Sequence, residues 1–391
     1  MIKPTAFKDQ VIIVTGSGQG IGFHTARAFA LLGGKVILAE LSETGQEAEI
    51  FIREEDGLAK FIQTDVSSPD SISLLKIAVQ KEFGSPSILI NNAIFISQES
   101  VVNTSTDDWN RTLAVNLSGT FYTCHAFLPE MIKNKHGKII NMVSTDAMPG
   151  LSAYIASKQG ITGFTQSLAL ELDQTGVYAV PFAPGLVRTA GIESVAEGLA
   201  PKLGLTPNEF LNLSLHPAYD GLMPLEHAAA ATIYLTLNLA KDFHGEVVNG
   251  YEVLEKAGVI KQALQATVSY QLDNNNLTDS TQDLLEQLLK ILQETAEEID
   301  HLPIFVRPMA KRGFKAKAGA SLSDWQAFIQ SLNSASSVIT EDLAARLPAL
   351  AKYYREVPEE TARFTKDQAF LQEIVDTTQY RLSVIEKLKS H

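Results

Sequence analysis

The sequence predicts an α/β fold: a doubly wound, mainly parallel sheet with helices on both faces, followed by a mainly α-helical C-terminal domain. Three observations lead there. A short β-branched run, Val11-Ile12-Ile13-Val14, passes through a glycine turn into a helical stretch, Phe23 to Leu32, and then a second strand, Lys35 to Ala39. Further strands are expected at Ser87–Ile90 and Lys138–Val143. Past residue 255 the pattern becomes helical, and Leu284, Leu285, Leu288, Leu289 and Leu292 form an apolar stripe at i, i+4 and i+8. The chain has 391 residues and 45% hydrophobic content, enough for more than one core. The expected division is 1–255 and 256–391.

The first turn, Thr15-Gly16-Ser17-Gly18-Gln19-Gly20-Ile21-Gly22, lies between a strand and a helix. In that setting glycines let a pyrophosphate approach the backbone, and the helix N-terminus supplies free N–H groups and partial positive charge. The second strand ends at Glu40, which can accept hydrogen bonds from ribose hydroxyls and would repel a 2′-phosphate. Ser17 and Leu41 offer no cation to offset it, so NAD is expected over NADP. Tyr154 and Lys158 stand one helical turn apart on one face. A cation beside a phenol stabilises the phenolate, as acid–base work on an alcohol or ketone requires.

Further motifs follow in order: Asp65-Val66 after a third strand, Asn91-Asn92-Ala93, Asn116-Leu117-Ser118-Gly119, Ser144, and Pro184-Gly185-Leu186-Val187-Arg188-Thr189. With the glycine turn and the Tyr154/Lys158 pair, they resemble the short-chain dehydrogenase/reductase family from about Phe7 to about Val253. The resemblance implies a Rossmann-type domain that transfers hydride between NAD(P) and a secondary alcohol or ketone. It implies cofactor contacts from Gly16, Ser17, Gln19, Gly20, Ile21 and Gly22, and from Asp65 and Val66 near the adenine. Asn92 and Ala93 would follow, then Pro184, Gly185, Val187 and Thr189 at the carboxamide. Its catalytic set is Tyr154, Lys158, Ser144 and Asn116. There Lys158 also holds the nicotinamide ribose, and Asn116 holds a water linking Lys158 to solvent. Two positions depart from the family pattern. Ile94 replaces a glycine, and Ser144 precedes Tyr154 by only ten residues, which either opens one wall of the pocket or shifts Ser144.

The net charge of −13, concentrated before Glu255, disfavours nucleic acid as a partner. Cys124 is the only cysteine, so no intrachain disulfide forms, and it reads as a buried bystander. No Cys/His cluster suggests a metal. Neither a signal-peptide pattern nor a membrane-spanning run is found, so the expected location is the cytoplasm. Residues 190–223, with Leu199, Leu203, Leu205, Phe210, Leu211, Leu213, Leu215, Tyr219 and Leu222, are expected to form a substrate loop or its small core. His216 reads as a surface histidine, and Trp109 and Trp325 as packing.

In the C-terminal region helices are expected at 279–299, 323–332, 341–355 and 359–389. Capping is expected at Ser280/Asp283 and Ser321/Asp324, and further helix starts at Thr340 and Pro358. Linkers are expected at 273–276 and 307–320, the latter holding the basic run Arg307, Lys311, Arg312, Lys315 and Lys317. The resemblance implies as partners a small-molecule alcohol or ketone and a second copy of the chain, as homodimer or homotetramer through the helices at about 109–133 and 154–175. Two other functions remain open: a redox sensor or scaffold whose helical tail binds a partner, and a lyase or epimerase using bound NAD.

Overall fold

Seven strands, β1 (Val11–Thr15), β2 (Lys35–Glu40), β3 (Leu58–Gln63), β4 (Ile88–Asn91), β5 (Gly137–Met142), β6 (Val177–Ala183) and β7 (Val248–Asn249), form one sheet in the order β3-β2-β1-β4-β5-β6-β7. Every pairing is parallel. The structure is a computed structural model that describes residues 2–145, 148–201, 205–213, 216, 218–260, 280–301, 307–333, 341–361 and 368–390. All five residues of β1 are buried, as expected for a parallel strand covered on both faces. Val11 and Ile13 pack with Leu75, Val79, Phe127 and Leu168 in one core cluster. Strand alternation turns Ile12 and Val14, both fully buried, to the opposite face.

The helices of this unit are α1 (Gly20–Leu31), α2 (Thr44–Glu54), α3 (Pro69–Glu82), α4 (Thr106–Leu113), α5 (Gly119–Lys133), α6 (Ser152–Glu171), α7 (Ala190–Leu199), α8 (Pro207–Leu211), α9 (Leu225–Tyr234) and α10 (Gly250–Lys256). A single π-helical turn, Ala114–Ser118, joins α4 to α5. Strand order reverses between β1 and β4, and this opens a crevice at their C-terminal ends.

A polar ladder runs through the middle of the sheet. Asn91 and Asn141 are register partners on β4 and β5, and Asn91 Nδ2 donates to Asn141 Oδ1 at 2.8 Å. Thr123 Oγ1 donates to Asn91 Oδ1 at 2.7 Å, and Asn141 Nδ2 donates to Thr165 Oγ1 at 2.9 Å. All four residues are buried, and their pairing with one another offsets the penalty of taking them out of water.

The chain divides into two compact units, Met1–Leu213 with Asp220–Lys261, and Ser214–Tyr219 with Gln262–His391. The second unit contains α11 (Thr281–His301), α12 (Arg307–Ala318), α13 (Leu322–Asn333), α14 (Glu341–Thr361) and α15 (Gln368–Ser390). Leu284, Leu288 and Leu292 of the leucine stripe lie in its core with Trp325, Leu347, Tyr354 and Ile385. Both expected caps are present: Asp283 N–H donates to Ser280 Oγ and Asp324 N–H to Ser321 Oγ, each at 3.2 Å. Buried polar groups here are also paired. Tyr354 Oη and Thr295 Oγ1 are 2.7 Å apart, and Arg381 makes a two-pronged bond to Glu298. No helix among the described residues is long and apolar enough to cross a membrane.

Several expectations are corrected. The expected linker over 307–320 is largely helix α12, because fully buried Phe314 and nearly buried Ala318 anchor it to the core. Its Lys317 is not free surface charge but lies 2.7 Å from Glu356. Pro358 does not open a helix; it lies inside α14, as does Pro348. Trp109 is 39% exposed whereas Trp325 is fully buried, so only the latter is a packing residue. His216 is buried, and its Nδ1 accepts from Ala218 N–H at 3.1 Å. The expected helix start at Thr340, the linker at 273–276, Leu203 and Leu215 lie outside the described residues.

Candidate active site

The glycine turn is shaped by a close backbone approach. Gly16 has φ +63°, and a Cβ there would come within 2.7 Å of Ala93 Cα. Thr15 ties the two loops together, since its Oγ1 accepts from the N–H groups of Asn92 and Ala93, each at 3.0 Å. Asn92 Nδ2 returns bonds to the carbonyls of Thr15 and Gly16 at 3.0 and 2.9 Å. Gly20 has φ +58°, with Thr189 Cγ2 the nearest atom to its missing Cβ at 3.7 Å. The turn therefore presents bare backbone to open space at the start of α1. Gln19 caps that helix without a side-chain bond, and no carboxylate occupies its first turn. Ser17 Oγ is buried with no partner among the described residues. These features fit a dinucleotide, whose phosphates would accept from the free N–H groups.

A cleft of about 350 Å³ opens in front of the turn. Gly16, Gln19, Gly20, Ile21, Glu40, Asp65, Val66, Asn92, Ala93 and Thr189 all line it, as do Ile94, Phe95 and Arg111. Ser17 and Gly22 are buried and do not line it. Glu40 is fixed at the edge: Leu41 and Ser42 N–H donate to one oxygen at 2.8 and 3.1 Å, and Gly18 N–H to the other at 3.1 Å. Asp65 Oδ1 accepts from Ser67 N–H and Oγ at 2.9 and 2.6 Å.

The remaining expected residues gather beyond β5 and β6, outside that lining. Ser144 follows β5, and its hydroxyl lies near enough to the Tyr154 phenol on α6 to favour the ionised form. The loop is held by Gln159 Nε2, which donates to Ser144 O at 3.2 Å. Lys158 is 2% exposed, and its Nζ donates to Met142 O at 2.6 Å and lies 5.7 Å from the Tyr154 ring centre. Pro184 and Gly185 follow β6, with Gly185 at φ +102°. Val187 is buried and bridges to Met223, while Thr189 caps α7 by accepting from Ile192 N–H at 3.0 Å.

Electrostatics in this neighbourhood differ from the sequence expectation. Desolvation pushes the Tyr154 phenol up to about 12, against a smaller downward pull from the Ser144 hydroxyl. The same burial brings Lys158 down to about 7. The lysine does not lower the tyrosine here, because a desolvated ammonium is itself disfavoured and its bond goes to a carbonyl. Cys124 is buried with its thiol pushed up to about 12, so it is inert as a nucleophile.

Asn116 sits in the π-helical turn and is fully buried. Its Oδ1 accepts from Phe95 N–H at 2.7 Å, and its Nδ2 donates to Phe95 O at 3.0 Å and to Ser157 Oγ at 2.9 Å. Asn116 thus links the α6 neighbourhood to the cleft wall. The motif carries Thr15 at the head of the glycine turn without revealing its tie to Asn92 and Ala93, and no spacing rule in the sequence connects Phe95 to Arg111.

The family model described as short chain dehydrogenase matches residues 10–199. An uncharacterized oxidoreductase of Thermotoga maritima is 33% identical over 254 residues, covering 64% of this chain and 95% of the relative. A D-beta-hydroxybutyrate dehydrogenase of Rhizobium meliloti is 32% identical over 247 residues, covering 61% and 95%. Among solved structures, an actinorhodin polyketide ketoreductase variant with NADPH aligns at TM-score 0.58 and 27% identity, over 61% of this chain and 95% of that one. The chain belongs to the short-chain dehydrogenase family, a family of NAD(P)-binding oxidoreductases with a Rossmann-type sheet.

Proposed function

We propose that the protein is an NAD(H)-dependent oxidoreductase interconverting a secondary alcohol and a ketone or aldehyde. The observation that carries this reading is buried Lys158, one helical turn from Tyr154 with its Nζ 5.7 Å from the phenol ring centre, and Ser144 acting on the same phenol. Two neighbouring hydroxyls can meet one substrate oxygen. When bound, the nicotinamide supplies or accepts the hydride. In reduction, Tyr154 Oη gives its proton to the carbonyl oxygen, and Ser144 Oγ donates a hydrogen bond to the same atom. Lys158, brought down to about 7, gains and loses a proton readily at neutral pH and restores the phenol. Asn116 fixes Ser157, the neighbour of Lys158 on α6, and ties it to Phe95 of the cleft wall. Acid–base help of this kind contributes about 10²–10⁴-fold in rate.

Gly16, Gln19, Gly20 and Ile21 would hold the pyrophosphate, with buried Ser17 and Gly22 shaping the turn behind them and Asp65, Val66, Asn92 and Ala93 along the adenosine. Pro184, Gly185, Val187 and Thr189, together with Tyr154 and Lys158, would serve the nicotinamide half. The fixed carboxylate of Glu40 supports NAD over NADP. The catalytic domain is 1–255 and the helical extension 256–391, in a cytoplasmic homodimer or homotetramer. Exposed Phe121 and Leu170 on α5 and α6 support that assembly.

The test is NADH and NADPH oxidation against a panel of ketones and aldehydes, with Tyr154→Phe beside wild type. Turnover is expected with NADH and lost in the variant, while NADH still binds. Comparable turnover in the variant would refute the assignment.

A further inference from the structure

We propose that Arg111 is a phosphate-binding residue of the dinucleotide cleft, held in place by stacking on Phe95. This rests on the cleft being a dinucleotide site. Arg111 and Phe95 both line the cleft, and the Arg111 guanidinium carbon lies 4.2 Å from the Phe95 ring centre. The platform is rigid because both polar backbone atoms of Phe95 are paired with the side chain of Asn116. A guanidinium stacked by its face keeps its edge N–H groups free, which suits a phosphate. Arg111 is exposed and has no carboxylate partner among the described residues. Its position calls for a cation. The described lining carries two carboxylates, Glu40 and Asp65, and Arg111 is its only Lys or Arg. An incoming dinucleotide brings its phosphates to the N-terminus of α1 in a cleft that also carries those two negative charges, and one arginine offsets part of the repulsion. Neither Ser17 nor Leu41 supplies a compensating cation, and the fold brings one from α4 instead.

Two phosphates could be the target: the pyrophosphate common to NAD and NADP, or the 2′-phosphate of NADP alone. Binding of NADH and NADPH is measured by calorimetry for wild type, Arg111→Ala, Arg111→Lys and Phe95→Ala. Arg111→Ala is expected to weaken binding about tenfold, Arg111→Lys less, and Phe95→Ala by an intermediate amount. The gap between wild type and Arg111→Ala should narrow as salt rises. Equal losses for both nucleotides assign Arg111 to the pyrophosphate, whereas a loss confined to NADPH assigns it to the 2′-phosphate. Tight wild-type binding that Arg111→Ala leaves within about twofold for both nucleotides overturns the role of Arg111 alone. Wild-type protein that binds neither nucleotide overturns the dinucleotide site itself, and the role of Arg111 with it.

Discussion

Replacing Lys158 with methionine should make the stability of the protein respond differently to pH. The lysine is 2% exposed and is brought from 10.5 down to about 7 by burial. That displacement corresponds to roughly 5 kcal/mol between the charged and neutral forms. Below pH 7 the ammonium is present in both folded and unfolded chains, so folding bears the whole desolvation penalty. As pH rises through 7 the folded lysine releases its proton, while the unfolded one keeps it to about 10.5. The unfolded chain then binds more protons, so wild type gains stability with pH across that window. Methionine has no such penalty to lose. The difference in unfolding free energy between variant and wild type should therefore shift by about 2–3 kcal/mol in favour of wild type between pH 6 and pH 9. Urea titrations of both proteins at pH 6, 7.5 and 9 measure it. Histidines and other lysines are common to both chains and drop out of the difference. Stability curves that stay parallel across this range would refute the reasoning, since they would leave Lys158 untitrated where burial says it must titrate.

Glu40→Ser should remove the negative charge at the cleft edge and raise NADPH affinity relative to NADH by about tenfold; an unchanged ratio in a binding titration would remove Glu40 from the basis of cofactor choice. Leu170, 81% exposed on α6, should become a disruptive charge in Leu170→Glu if that helix joins two copies, and light scattering would then report a smaller assembly. Thr295→Val should leave the buried Tyr354 hydroxyl unpaired and destabilise the helical unit by about 1–3 kcal/mol. Adding Tyr354→Phe should recover part of that loss, and a double-mutant cycle on thermal unfolding measures the coupling.

The parts of the fold legible in the sequence are those set by neighbours along the chain. The strand–turn–helix at Val11–Leu31, the strand at Gly137–Met142 and the caps at Ser280 and Ser321 all depend on residues a few positions apart. Helix α12 was lost because Pro308 and Gly313 read as breakers. Pro308 falls in the first turn, where a missing N–H does no harm, and buried Phe314 outweighs the glycine. The expected helix over 341–355 already spans Pro348; only Pro358 reads wrongly as a new start, and fully buried Leu347, Leu350, Ala351 and Tyr354 hold the longer α14. At the site, the glycine turn and the Tyr154/Lys158 spacing were visible. The direction of the Tyr154 shift was not, because desolvation is a property of the assembled surroundings. Nor was the meeting of Phe95, Arg111 and Asn116, which only the crossover from β4 to α4 brings about.

The Asn91–Asn141 pair bears on how the sheet finds its alignment. β4 and the Ile139-Ile140 part of β5 are aliphatic enough to slide by two residues and keep the same faces, so hydrophobicity alone distinguishes poorly between the native pairing and its shifted copies. Sliding β4 against β5 by that amount would part the two amides in a dry interior, while Thr123 and Thr165 would keep the bonds to their own helix carbonyls. Each orphaned group would cost about 1–3 kcal/mol. The ladder therefore favours the native register of β4 against β5 over its shifted copies. Aliphatic replacement of both asparagines, Asn91→Val with Asn141→Val, would be expected to leave a chain that collapses readily but sorts its strands more slowly.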